Sequence, residues 1–100
     1  MPLARMADIV GPARAAGRGV GAFNVIGIEH AEAIVAGAGA AALPVVLQIS
    51  ENCVAYHRGL TPVAAACLAV ARGAAVPVAV EVARLLHVIG GADDPVSAVE

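Results

Sequence analysis

Three short apolar runs divide the chain, and the segments between them show helical periodicity. The runs are VGAFNV (20–25), PVVLQIS (44–50) and VPVAV (76–80). A continuous rather than alternating apolar run is typical of a strand that is covered on both faces. Between the first two runs, one apolar stripe recurs at spacings of three and four residues, which predicts a helix over 28–42. The stripe consists of Ile28, Ala31, Val35, Ala38 and Ala42.

A second helix is predicted between the second and third runs. Thr61 is expected as its N-cap and Pro62 as its first helical residue. Arg72 in the last turn and Gly73 just beyond it are typical of a helix C-terminus. The intervening stretch ENCVAYHRG is expected to be a loop or a single helical turn.

The resulting order, strand–helix–strand–helix–strand, predicts an α/β fold with right-handed βαβ units and a parallel sheet. A segment precedes the first strand, and Pro12 is expected to disrupt any longer helix there. The spacing between strands suits a (β/α)8 barrel or a doubly wound sheet. A barrel takes about 250 residues, so 100 residues supply only its first three strands. The dinucleotide-binding alternative has little support, because GRGVGA precedes a strand instead of opening a helix.

Composition narrows the classes of function. Net charge is −2 and only 14% of residues are charged, which excludes the basic footprint of a nucleic-acid-binding protein. Cys53 and Cys67 have neither metal nor redox spacing, so two reduced thiols and a cytoplasmic location are expected. No secretory leader is expected, because charges and Pro12 interrupt the N-terminal apolar residues. The uncharged stretch 33–50 leaves a small membrane-associated protein as an alternative, although a bilayer span takes about 20 residues.

The three runs, taken together with their spacing, resemble the N-terminal part of the class II metal-dependent fructose-bisphosphate aldolases, also called ketose-bisphosphate aldolases. The resemblance covers about residues 1–80 and includes IEHAEAIVAGAGAAALP between the first two strands. It implies the three N-terminal βα units of a TIM barrel, with 81–100 as a divergent tail. Members of that family are homo-oligomers that cleave fructose 1,6-bisphosphate into glycerone phosphate and glyceraldehyde 3-phosphate.

The resemblance also implies roles for individual residues. The family's substrate-contacting Asn and Ser correspond to Asn24 and Ser50, both at the carboxyl ends of strands, where barrel chemistry belongs. A purely structural role stays open for each of them. Asn24 is also suited to cap the helix that begins near Ile28, and Ser50 to bond backbone groups after its strand.

The family's third strand ends in His-x-Asp-His, in which the Asp is the acid/base and the second His a zinc ligand. The matching residues here run from Glu81 to Arg84, with Ala83 at the Asp position. Ala83 has no proton to transfer, and Arg84 has no free lone pair for zinc. We therefore expect no catalytic residue, no zinc site and no aldolase activity from this chain alone. The abrupt end of the resemblance suggests an interrupted or misassembled reading frame.

The remaining candidates are expected to be structural. His87 lies near the lost ligand but has no partner at ligand spacing, and the same holds for His30 and His57. Asp94 and Pro95 are expected to begin another helix rather than to form a carboxylate site with Asp93. An open three-strand sheet has exposed edges, so a molten or aggregating product is expected. A non-catalytic half-barrel that pairs with itself or with a complementary chain remains an alternative.

Overall fold

A computed structural model describes residues 2–83 as four helices and three strands. In chain order these elements are α1 (Met6–Ala15), β1 (Ala22–Asn24), α2 (Ile28–Ala41), β2 (Val45–Ser50), α3 (Glu51–Tyr56), α4 (Thr61–Arg72) and β3 (Val78–Ala83). The predicted α/β class and the strand–helix order are confirmed. The stretch after β2, predicted as a loop or one turn, forms the short helix α3.

The strands form one parallel sheet in the order β1–β2–β3, with β2 at the centre. The registers place Asn24 beside Gln48, and Gln48 beside Glu81. At the far end of β2, Ser50 pairs with Ala83. Strand β3 thus continues three residues beyond the predicted 76–80 run and includes Glu81.

Helices α2 and α4 cover one face of the sheet. Alternate residues of β2, including Leu47 and Ile49, are fully buried on this face. They share a core with Ala31 of α2 and with Cys67 and Ala71 of α4, all of them also inaccessible to solvent. Because most helix residues in this layer are small, the helices approach the sheet closely and bury little area per residue.

The opposite face is covered at its amino-terminal end by α1. Ile9 of α1 packs against Val46 of β2 and Ala79 of β3 in a second, smaller core. The prediction that Pro12 disrupts this helix is wrong, since α1 runs through it. Pro12 is exposed and removes only one backbone hydrogen bond, while burial of Ile9 and Ala13 holds the helix against the sheet.

The start of α4 also differs from the prediction. Thr61 is the first helical residue, and Leu60 occupies the N-cap position without a side-chain cap bond. The C-terminus is as predicted, with Arg72 in the last turn and Gly73 just after it.

The structure does not support the membrane alternative, because the uncharged stretch 33–50 is divided between a helix and a strand. It contains the second half of α2, a turn at Ala42 with φ 58°, and strand β2. Among residues 2–83, no helix has the length and apolar character needed to cross a bilayer.

An apolar groove lies beside β1, which is an edge strand of the described sheet. The groove has a volume of about 400 Å³ and lies between β1 and the carboxyl-terminal half of α2. Phe23 and Leu43 line it and are each about half exposed, at 50% and 51%. An exposed apolar groove next to an unpaired strand edge favours association of folded chains. The sequence led us to expect either a molten or an aggregating product. A packed core is not a feature of a molten state, so the structure favours aggregation.

We predict that polar substitutions in this groove reduce aggregation. Leu43→Gln and Phe23→Ser should each lower the fraction of large species in size-exclusion chromatography and the fluorescence of a bound hydrophobic dye. Tyr56→Ser is the control, because Tyr56 is 75% exposed but does not line the groove. If the control variant were as effective as the groove variants, the groove would not be the surface that drives association.

Candidate functional site at the carboxyl ends of the strands

Asn24 is the last residue of β1 and is exposed at the carboxyl end of the sheet. The chain stays attached to β2 just beyond it, because the Val25 N–H donates to the Gln48 carbonyl oxygen at 2.9 Å. Paired residues of neighbouring parallel strands point to the same face. The Asn24 side chain therefore lies on the face opposite to α2 and α4, with that of Gln48.

Asn24 does not cap α2, so that alternative is wrong. The N-cap residue of α2 is Gly27, and the side chain of His30 accepts the backbone hydrogen bonds at the start of the helix. His30 Nδ1 accepts from the Ile26 N–H at 3.3 Å and from the Gly27 N–H at 3.2 Å. The amide of Asn24 is left at the strand end without a capping role.

Ser50 is the last residue of β2 and the N-cap of α3. Its Oγ accepts from the Cys53 N–H at 3.1 Å, so the expectation that it bonds backbone groups after the strand is confirmed. This bond uses an oxygen lone pair and leaves the hydroxyl proton as a donor. Ser50 is half-buried on the same face as Gln48, two residues further along β2.

Gln48 and Glu81 complete a polar row with Asn24 across the three strands. Gln48 Nε2 donates to Glu81 Oε1 at 2.7 Å, and both side chains are half-buried. Sequence reasoning did not select Gln48, although it is an amide inside the apolar run PVVLQIS. Together with the Ser50 hydroxyl, the row offers amide donors and acceptors and one carboxylate to a ligand above the sheet.

The structure brings Asn24 and Ser50 to the same end and face of the sheet. The backbone of Ala83 pairs with Ser50, so the position that the resemblance predicts for the family's acid/base lies beside the candidate serine. Arg84, His87, Asp93 and Asp94 lie outside the described residues.

A zinc ion needs about three protein ligands from His, Cys or carboxylate side chains. Within residues 2–83, no three such side chains form a cluster. His30 and His57 are instead engaged with the backbone of one turn, since His57 Nε2 bonds the Ile26 carbonyl oxygen. The donor set of the described residues does not fit zinc.

The two thiols are buried beneath the candidate site. Burial raises the pKa of the Cys53 thiol, and burial together with the nearby Cys53 raises the pKa of Cys67 to about 11. Both side chains belong to the core between the sheet and the helices. Neither thiol has the thiolate character of a nucleophile or a metal ligand.

Comparison with known proteins gives one family match. Residues 4–83 match the family model described as "Fructose-bisphosphate aldolase class-II". The match covers most of the chain, and it extends to Ala83, beyond the 1–80 range that the sequence suggested. A division into 1–80 and a divergent tail 81–100 stays a prediction. No curated protein matches the chain.

We predict that both thiols resist alkylation while the chain is folded. At pH 8 a pKa of about 11 leaves almost no thiolate on Cys67, burial lowers the thiolate fraction of Cys53, and the core excludes the reagent. Labelling with iodoacetamide, followed by mass spectrometry, should be complete within minutes in guanidinium and slower by more than tenfold in buffer. Labelling of Cys67 at the same rate in both conditions would contradict the packed core.

Proposed function

Because the chain belongs to the class II fructose-bisphosphate aldolase family, we propose that residues 2–83 form the first three βα units of a TIM barrel. In this proposal they carry the part of an aldolase site that contacts the sugar bisphosphate. The observation that carries the proposal is the placement of Asn24 and Ser50. They end neighbouring parallel strands and lie on the face opposite to the helices. Barrel enzymes bind their substrates at this end of the strands.

The two side chains suit a polyhydroxylated ligand. The Asn24 amide both donates and accepts, and the Ser50 hydroxyl keeps a proton to donate while its oxygen is held by Cys53. A ligand hydroxyl or phosphate oxygen above the sheet would meet one donor from β1, the Asn24 amide, and one from β2, the Ser50 hydroxyl. Gln48 lies between them and is fixed by its bond to Glu81.

We further propose that the chain binds such a ligand without cleaving it. In the family, zinc polarises the substrate carbonyl and stabilises the enediolate. The described donor set does not fit zinc, and we assign no step to it. The alanine at position 83 cannot donate or accept the proton that carbon–carbon cleavage requires. A cytoplasmic location is part of this proposal, in keeping with the two free thiols.

The alternative is a non-catalytic half-barrel that pairs with another chain. The exposed groove beside β1 favours it, because Phe23 and Leu43 offer an apolar surface next to a strand edge. A single oligomer of defined mass in light scattering would support this alternative. A broad distribution of masses would instead indicate aggregation.

We predict that Asn24→Ala weakens binding of fructose 1,6-bisphosphate about tenfold or more. Loss of one hydrogen bond to a charged group such as a phosphate costs about 1.5–3 kcal/mol, and tenfold corresponds to about 1.4 kcal/mol. Asn52→Ala is the matched control, because Asn52 is an exposed asparagine on α3. Isothermal titration calorimetry or line broadening in NMR spectra would measure the affinities.

Equal effects of the two asparagine substitutions would contradict a role for Asn24. Absence of any binding by the unchanged chain, at ligand concentrations up to the solubility limit, would contradict the proposed substrate contact altogether.

We predict no cleavage of fructose 1,6-bisphosphate by the chain, with or without added zinc. A coupled assay for glyceraldehyde 3-phosphate should give the rate of the buffer blank. Asn24→Ala serves as the control for contaminating aldolase, since it would not alter a contaminant. Turnover that the substitution abolishes would show that the chain has an acid/base that we have not assigned.

A further inference from the structure

Two histidines, one on α2 and one just after α3, bind the same turn at the carboxyl end of the sheet. The turn, Ile26–Gly27, connects Asn24 at the end of β1 to the start of α2. His30 on α2 accepts from both N–H groups of this turn through Nδ1. His57, which follows α3, bonds the Ile26 carbonyl oxygen, and the Cys53 thiol approaches the same oxygen at 3.8 Å.

This arrangement joins the segments that follow the two candidate ligand-binding residues. The Ile26–Gly27 turn follows Asn24, whereas α3 and His57 follow Ser50. The His57–Ile26 bond spans 31 positions along the chain. It therefore holds the loop after β1 against the end of α3, at the same end of the sheet as Asn24 and Ser50.

We propose that His30 and His57 are positioning residues, which together clamp the turn after Asn24 between the start of α2 and the segment that follows α3. Protonation of His30 breaks its bonds to the turn and releases the α2 side of this clamp, while the His57 bond persists. The role of the clamped residues in binding a sugar bisphosphate rests on the proposed function, but the clamp itself does not.

The hydrogen bonds fix the protonation states that the clamp requires. His30 Nδ1 accepts two N–H groups, so it must carry a lone pair, and its proton lies on Nε2. A protonated imidazole has no acceptor and cannot make either bond. His57 faces a carbonyl oxygen, so its Nε2 donates in both protonation states. Of the two histidines, only His30 therefore loses its bonds to the turn when its ring is protonated.

Other titratable groups face this turn from both helices. On α2, Glu29 Oε1 lies 3.2 Å from the position that a Cβ on Gly27 would take. From α3 come Cys53, whose raised pKa keeps it neutral between pH 5 and pH 8, and Tyr56, whose ring packs edge-on against that of His57. Glu29 is thus a titratable carboxylate beside this turn, and a Glu29→Gln variant controls for its charge.

The test uses substitutions that mimic one ring nitrogen without titrating. Asn at position 30 offers an acceptor near the place of Nδ1, and Gln at position 57 offers a donor near the place of Nε2. In the full chain without ligand, we would measure the protection of the Ile26 and Gly27 amides from solvent exchange, relative to the intrinsic rate at each pH. We expect wild type and His30→Asn to be equally protected at pH 8. At pH 5, wild type should lose protection by about fivefold or more, as for loss of one ordinary hydrogen bond, and His30→Asn should keep it.

Three results would overturn the clamp. The first is equal loss of protection in wild type and His30→Asn at pH 5. The second is loss of the pH effect in Glu29→Gln, since the carboxylate would then be the responsible group. The third is absence of protection in wild type at every pH, because the turn would then not be held.

The positioning role is tested separately with fructose 1,6-bisphosphate as the probe. The ratio of wild-type to His30→Asn affinity should be close to one at pH 8 and should fall about fivefold at pH 5. Ionisation of the phosphates cancels in this ratio, because both proteins meet the same ligand. His57→Ala should weaken binding at pH 8, and His57→Gln should restore it. A ratio that does not change with pH would contradict the positioning role, whereas an absence of binding together with the expected protection would contradict only the proposed function.

Discussion

The pairing of β2 with a strand on each side determines where every polar side chain of the candidate site lies. Parallel registers on both sides place Asn24, Gln48 and Glu81 side by side across the sheet, with Ser50 two residues further along β2. A shift of one residue in either register would turn a whole strand over and move its polar side chains into the helix-facing core. Burial of Leu47 and Ile49 under the helices opposes such a shift.

The same pairing separates ligand contact from proton transfer. Ala83 continues β3 and pairs with Ser50, although its side chain has no acid/base chemistry. Under the proposed function, the backbone that would present an acid/base is therefore kept, while Ala83 replaces the proton-transferring group. In that proposal the chain retains a strand end suited to ligand contact, with no assigned route to carbon–carbon cleavage.

Local sequence signals predicted the central elements of this fold well. The apolar run of β2 and the Arg72–Gly73 ending of α4 depend on burial and on C-terminal capping, which neighbouring residues largely determine. Tertiary packing decided the elements that sequence reasoning missed. Pro12 is tolerated because Ile9 is buried against the sheet, and β3 reaches Ala83 because β2 offers a partner throughout.

The same contrast between local sequence signals and tertiary contacts applies to the candidate site. Asn24 and Ser50 were predicted from the family resemblance and from their positions at strand ends. The Gln48–Glu81 bond and the His57–Ile26 bond join residues 33 and 31 positions apart. Neither pair has a spacing that marks it in the sequence, because each contact forms only when the strands and helices are assembled.

The most direct test of the proposed site is the register of β1 against β2, from which the rest of the arrangement follows. An NMR measurement of scalar coupling through hydrogen bonds would identify the carbonyl that accepts from the Val25 amide. The structure predicts coupling to the Gln48 carbonyl, across 2.9 Å between nitrogen and oxygen. Coupling to another carbonyl of β2 would contradict the alignment of Asn24 with Gln48, and with it the arrangement of the site.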